Sequence, residues 1–192
     1  KLYVNNVLES SKPMTLNTPS ATPLTIWSFN ALPYRFAGSL DDIRVYNVSF
    51  TDNQVDSLYR LGGWPVPMLG EYAAGANTVL LLHMNEASGS NVSDVSGYLN
   101  NGTALSGATI TNQGRFGNAR LYDGTANAQL QVPKSPSILF GNGDFTAELW
   151  VNTVSTAATQ RLLFHYSGLG TNQWTLNLGF GAPAGVLEFD GL

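Results

Sequence analysis

Asp41 and Asp42 sit side by side in a strand-like run, Leu40-Asp41-Asp42-Ile43-Arg44-Val45-Tyr46, where charged residues are costly. Strict alternation gives Asp41 the parity of Ile43 and Val45, so its carboxylate would turn inward. A buried carboxylate requires a cation, a metal ion or several hydrogen-bond donors. One reading makes Asp41 a Ca²⁺ ligand at the rim of a sheet, sharing the ion with oxygen atoms of a loop. The other is a β-bulge after Leu40 that turns Asp41 outward, or an ion pair with Arg35 or Arg44. The candidate partner is Asp94-Val95-Ser96-Gly97, followed by Asn100-Asn101-Gly102, which gathers oxygen donors on a glycine-containing loop. Its plain alternative is an Asx turn, in which Asp94 accepts from the amides that follow it. The spacing does not match an EF-hand loop.

Glu188-Phe189-Asp190 sets two carboxylates on one face of a strand, the pairing that glycoside hydrolysis uses. Gly191, which follows them, suits a hairpin turn better than an active-site strand. His83 and His165 fall on strands with no serine or cysteine nucleophile arranged around them. The expectation is therefore a non-enzymatic chain. Sugar recognition asks for aromatic faces beside polar side chains. Trp27, Tyr34 and Trp174, with Asn172 close to the last, are the candidate ligand-binding residues. The competing role for such rings is packing in a core, which is also the expectation for Trp150.

Composition narrows the field. Only 11% of residues are charged, the net charge is −4, and the basic residues form no run. Nucleic-acid binding relies on clustered Lys and Arg and is not expected. No apolar run reaches the ~18 residues of a membrane-spanning helix, so no membrane insertion is expected. Cysteine is absent, and a sandwich of this size needs no disulfide. Lys1 to Asn5 reads as a strand and not as a signal peptide. Asn47, Asn91 and Asn101 match glycosylation sequons, as a chain rich in Asn, Ser and Thr does by chance.

The positioning elements read as short strands with turns between them. Leu2–Val4 and Val7-Leu8 flank an Asn5-Asn6 turn. Further strands fall at 24–29, 42–46, 79–84, 130–132, 145–151, 162–166, 174–178 and 186–189. One helix is signalled after Thr51, with Gln54 completing a capping box and Phe50 and Val55 forming a staple. Val55, Leu58 and Tyr59 share a face, Arg60 suits the negative end, and Gly62 ends the helix. From 64 to 77 the alternation lapses into proline and glycine, which reads as a linker.

The stretch GSLDDIRVYNVSFTDNQVDSLY (38–59) resembles the closing strand and helix of laminin-G-like jelly rolls in the concanavalin A-like lectin and glucanase superfamily. KLYVNNVL (1–8) resembles the family's strand-turn segment, with Asn6 where glycine is usual. LLLHMNEASGSNVSDVSGYLNNGT (80–103), FGNARLYDG (116–124) and GDFTAELWVNT (143–153) resemble its opening half. The resemblance implies an all-β antiparallel jelly-roll sandwich with one short helix. It adds weight to calcium near the Asp94 loop. It also implies that Glu188-Phe189-Asp190 lacks the third acid of the glucanase strand.

The order is ending, linker, beginning. It divides the chain into the closing part of one unit (1–63), a linker (64–77) and the opening part of a second (78–192). The alternative is one circularly permuted sandwich in which 78–192 and 1–62 complement each other. The function expected is recognition of a glycan or another cell-surface ligand by an extracellular module on a cell or virion surface, within an adhesin or viral appendage. The alternatives are a structural repeat that self-assembles with neighbouring repeats or subunits, and an accessory module of a polysaccharide-degrading enzyme.

Overall fold

Short runs of large apolar residues, broken by Asn, Ser and Gly turns, fold as an all-β antiparallel sandwich with one short helix. The computed structural model describes residues 1–13, 23–26, 36–61, 71–125, 127–141, 143–153, 160–165, 174–179 and 187–191. In chain order the strands are β1 (Leu2–Val4), β2 (Val7–Ser10), β3 (Leu24–Ile26) and β4 (Ala37–Tyr46), followed by helix α1 (Asp52–Leu61). After it come β5 (Thr78–Leu82), β6 (Asn91–Val92), β7 (Gly102–Ala104), β8 (Ala108–Thr111) and β9 (Ala119–Asp123). The remainder are β10 (Leu130–Val132), β11 (Thr146–Thr153), β12 (Gln160–His165), β13 (Trp174–Leu178) and β14 (Leu187–Gly191).

One sheet has seven strands in the order β14-β13-β12-β3-β10-β7-β6. The other has five: β11-β4-β9-β8, with β5 also paired to β4. The length of β4 lets it serve two partners on one side. Its first half pairs with β9 and its second half with β5, while β11 runs along the other side. Both β3 and β4 therefore lie between strands that come later in the chain, β3 between β12 and β10. Leu24, Ile26, Leu40, Ile43, Val45, Leu80, Leu82, Leu130 and Leu163 meet between the sheets with almost no exposure. Each such side chain contributes roughly 1.5–3 kcal/mol through burial.

Local signals resolve as expected at the two ends of the first segment. Asn5 and Asn6 both take positive φ (47° and 67°), the pair a tight hairpin turn requires. At the helix start, the Thr51 amide donates to Gln54 Oε1 (2.9 Å), and the Gln54 amide donates to Thr51 Oγ1 (3.3 Å). That is the reciprocal capping box. The hairpin docks on the helix through Lys1 and Tyr3 to Asp52 and through Asn6 to Asp56. Among the described residues no helix is long and apolar enough to cross a membrane.

The pairing of β4 with β11 decides between the two readings of the side that Asp41 takes. Register runs from Asp41 opposite Trp150 to Arg44 opposite Glu148, so Asp42 and Ile43 together face the single residue Leu149. This is a β-bulge, and Asp42 takes φ 49° to make it. The extra residue flips the parity, so Asp41 points away from the core face of Leu40 and Ile43. Strict alternation misplaces it; the bulge alternative describes it.

Candidate functional site

Asp94 stands at the start of the loop that follows β6 and is 5% exposed. Its Oδ1 accepts from the amides of Leu81 and Ser96 (both 2.9 Å), and its Oδ2 accepts from Ser96 Oγ and the Asn100 amide (both 2.8 Å). A carboxylate offers about four lone-pair sites, and here four donors occupy them. The Asp94 amide in turn donates to Asn101 Oδ1 (2.9 Å). Asn100 Nδ2 donates to the Val79 carbonyl and to Ser137 Oγ (both 2.8 Å). The Asx turn is thus extended into a staple that ties the loop to β5. A cation at Asp94 would have to displace donors already in place, so the residues present do not fit calcium there.

What the staple holds out is apolar. Val95 is 47% exposed, Tyr98 49% and Leu99 75%, and Leu99 keeps a positive φ of 58°. A bulky residue at that angle is strained unless its neighbours fix it. Here the Asp94 and Asn100 bonds fix it on either side. The Tyr98 amide donates to Ser96 Oγ (3.3 Å), which seats the tyrosine on the same turn. Sequence reasoning passed over Tyr98, because within SGYLNNG it reads only as part of a turn. The signal was available: an aromatic between an Asx-turn aspartate and an Asn-Asn-Gly run has no alternating partner to bury it.

Asp41 has a different environment. It is 3% exposed, and its Oδ2 accepts from the Phe116 amide (3.0 Å). Gly114 lets that loop close: a Cβ there would stand 2.9 Å from Asp41 Oδ2 and 2.4 Å from the Asn118 carbonyl. Among the described residues, Asp41 Oδ1 and Asp42 Oδ2 are buried without a hydrogen-bond partner. Burial pushes the Asp41 carboxyl up to about 6, and the Phe116 and Arg115 amides only partly oppose that. Next along the same face, Asp42 Oδ1 accepts from His83 Nδ1 (2.8 Å), which raises the imidazole above its ordinary value. Arg44 Nη2 lies 2.7 Å from Glu148 Oε1, which also accepts from Tyr46 Oη (2.6 Å). Burial nonetheless raises the Glu148 carboxyl. Tyr72 covers the guanidinium, its ring centroid 3.2 Å from Arg44 Cζ.

The structure does not join Asp41 and Asp94. They belong to separate hydrogen-bond networks, and among the described residues no three His, Asp or Glu side chains group as a metal set would. Trp174 is 1% exposed, flanked by the rings of Phe145 (4.9 Å) and Phe189 (6.1 Å), so it packs the core and presents no open face. Trp27, Tyr34 and Asn172 lie outside the described residues. His165 is buried beside Trp174. Glu188 and Asp190 sit opposite Asn177 and Thr175 on β13, with Phe189 between them turned to the core.

The chain matches no protein-family model, and neither the curated proteins nor the solved structures give a significant match. The fold and these side chains therefore carry the functional argument unaided.

Proposed function

We propose that this chain is a laminin-G-like recognition unit of the concanavalin A-like type. In this reading it binds a glycan or another cell-surface ligand, outside the cell, without catalysing a reaction. It would belong to an adhesin or a viral appendage. The motif at 38–59 and the two-sheet architecture, which is compatible with a jelly roll, support the family reading. The observation that carries the function is the stapled loop. A turn stapled by Asp94 that presents an exposed tyrosine offers its ring to a sugar face at little ordering cost.

The pairing of β3 and β4 with strands beyond residue 78 favours one permuted sandwich over two partial ones. Binding of the intact chain to a broad glycan array, repeated with Tyr98→Ala, tests the site. Signal on particular glycans that Tyr98→Ala weakens at least tenfold, with unchanged melting, supports the reading. Glycan binding indifferent to Tyr98 would move the site elsewhere, and no binding to any glycan or cell surface would remove the function. A self-assembling structural repeat is the second reading, favoured by Val7 and Leu8, which are exposed on the β1–β2 hairpin. Concentration-dependent association abolished by Val7→Ser with Leu8→Ser would select it.

A further inference from the structure

The outer face of the five-stranded sheet carries a second arrangement that ligand recognition does not use. Residues 71–77 cross it on the way into β5. Most are exposed, but Glu71 and Tyr72 are held from several directions. Tyr72 Oη donates to the Leu58 carbonyl of α1 (2.9 Å), its ring covers Arg44, and its edge meets Phe116 at 6.0 Å. Phe116 in turn meets Trp150 edge-on at 6.4 Å. Glu71 Oε1 accepts from Asn85 Nδ2, and its Oε2 stands 3.9 Å from His83 Nε2. His83 is thereby placed between two carboxylates, Asp42 on β4 at 2.8 Å and Glu71 on the crossing segment.

We propose that Glu71 and Tyr72 form a pH-sensitive strap, clamped on this face by the His83 imidazolium bridging Asp42 and Glu71. The strap ties α1, through Leu58, to β4 and β5, so loosening it changes how the helix and residues 71–77 sit on the sandwich. Geometry supplies the bistable part. Asp42 is 1% exposed and fixed by the bulge, whereas the Glu71 side chain is 41% exposed and can swing away.

Among the described residues, few other charges face this imidazole. Arg44 on β4 opposes its protonation, but Arg44 is itself paired with Glu148 of β11 and capped by Tyr72. Asp41 adjoins Asp42 and adds negative charge to the face. The sign follows from the raised imidazole. A His whose folded pKa exceeds its unfolded value stabilises the clamped state fully below about 6.5, and that contribution is lost as pH rises through the folded value. The strap should be closed in mildly acidic solution and looser above neutrality. One half-exposed ion pair changes such an opening equilibrium by about two- to fivefold.

Hydrogen exchange on the intact chain at pH 5.5 and 8.0, corrected for intrinsic chemistry, reads the strap directly. The amides to follow are Gly75, which donates to Thr78 Oγ1, and Thr78, which donates to the Gly75 carbonyl. Their protection should fall by about two- to fivefold at the higher pH. Glu71→Gln and His83→Gln should each abolish that difference, and Glu71→Gln should lower the imidazole midpoint followed by NMR. The exposed Glu71 keeps the test available if His83→Gln fails to fold. Equal protection at both pH values, or a pH effect that survives Glu71→Gln, would overturn the proposal.

Discussion

Asp94, in the loop after β6, and Asp41, in the middle of β4, are both almost fully buried aspartates, and they solve the same problem in opposite ways. Asp94 gathers four donors from β5, Ser96 and Asn100, so its charge becomes the anchor of a loop. Asp41 has the Phe116 amide on Oδ2 and, among the described residues, no partner on Oδ1; the nearby amides only partly offset its burial, and Asp42 adds like charge. Burial alone therefore says little about an acidic residue; the donors around it decide whether it stabilises or strains. In the first region, rigidity presents Tyr98. In the second, poorly compensated charge makes the outer sheet face responsive to protons.

The largest effect should come from breaking the staple. Asp94→Ala leaves buried amides of Leu81 and Asn100 without acceptors and should cost about 3–5 kcal/mol, measured by urea unfolding. Loss under about 1 kcal/mol would show that the loop is held by something else. Asp41→Asn should do the reverse at pH 8: it removes a poorly compensated buried charge while keeping an oxygen for the Phe116 amide. A gain of about 1 kcal/mol is expected after allowance for screening.

Next is the pH profile of the unaltered chain. The raised Asp41, Glu148 and His83 values all mean that the folded state binds protons more tightly than the unfolded one. Their contributions are present at low pH and lost as pH rises, for Asp41 between about 4 and 6 and for His83 above about 6.5. Melting at pH 5 should exceed that at pH 8 by about 2–4 °C, and Asp41→Asn should flatten the lower part of the curve. The smallest effect is that of calcium. With Asp94 already saturated, millimolar Ca²⁺ should move the melting temperature by less than about 1 °C, and a rise of several degrees would reopen the metal reading.

Much of the architecture was legible because large apolar side chains alternate where strands are buried. Trp174–Leu178 was bounded correctly, and the Thr51-Gln54 box and the Asn5-Asn6 turn carry their geometry in local chemistry. The short strands β6 to β9 were not read as strands. Asn91-Val92 and Gly102–Ala104 are too brief and too small in side chain to show a period; Gly102 is set by Leu130, whose Cδ1 would stand 2.8 Å from a Cβ there. The site was legible only in part. Asp94 was found with its Asx alternative in view, whereas the side of the sheet taken by Asp41 depends on one extra residue opposite Leu149. No local pattern contains that, since it arises from pairing across about a hundred residues of chain. Trp174 shows the same limit: a tryptophan's burial is decided by Phe145 and Phe189, neither of which is its neighbour in sequence.

Urea unfolding of Asp94→Asn and Asp41→Asn, measured side by side at pH 8, puts the contrast to its sharpest trial. The amide cannot accept from four donors, so Asp94→Asn should lose about 1–3 kcal/mol, while Asp41→Asn should hold or gain stability. Opposite signs are the predicted result; two losses of similar size would contradict it.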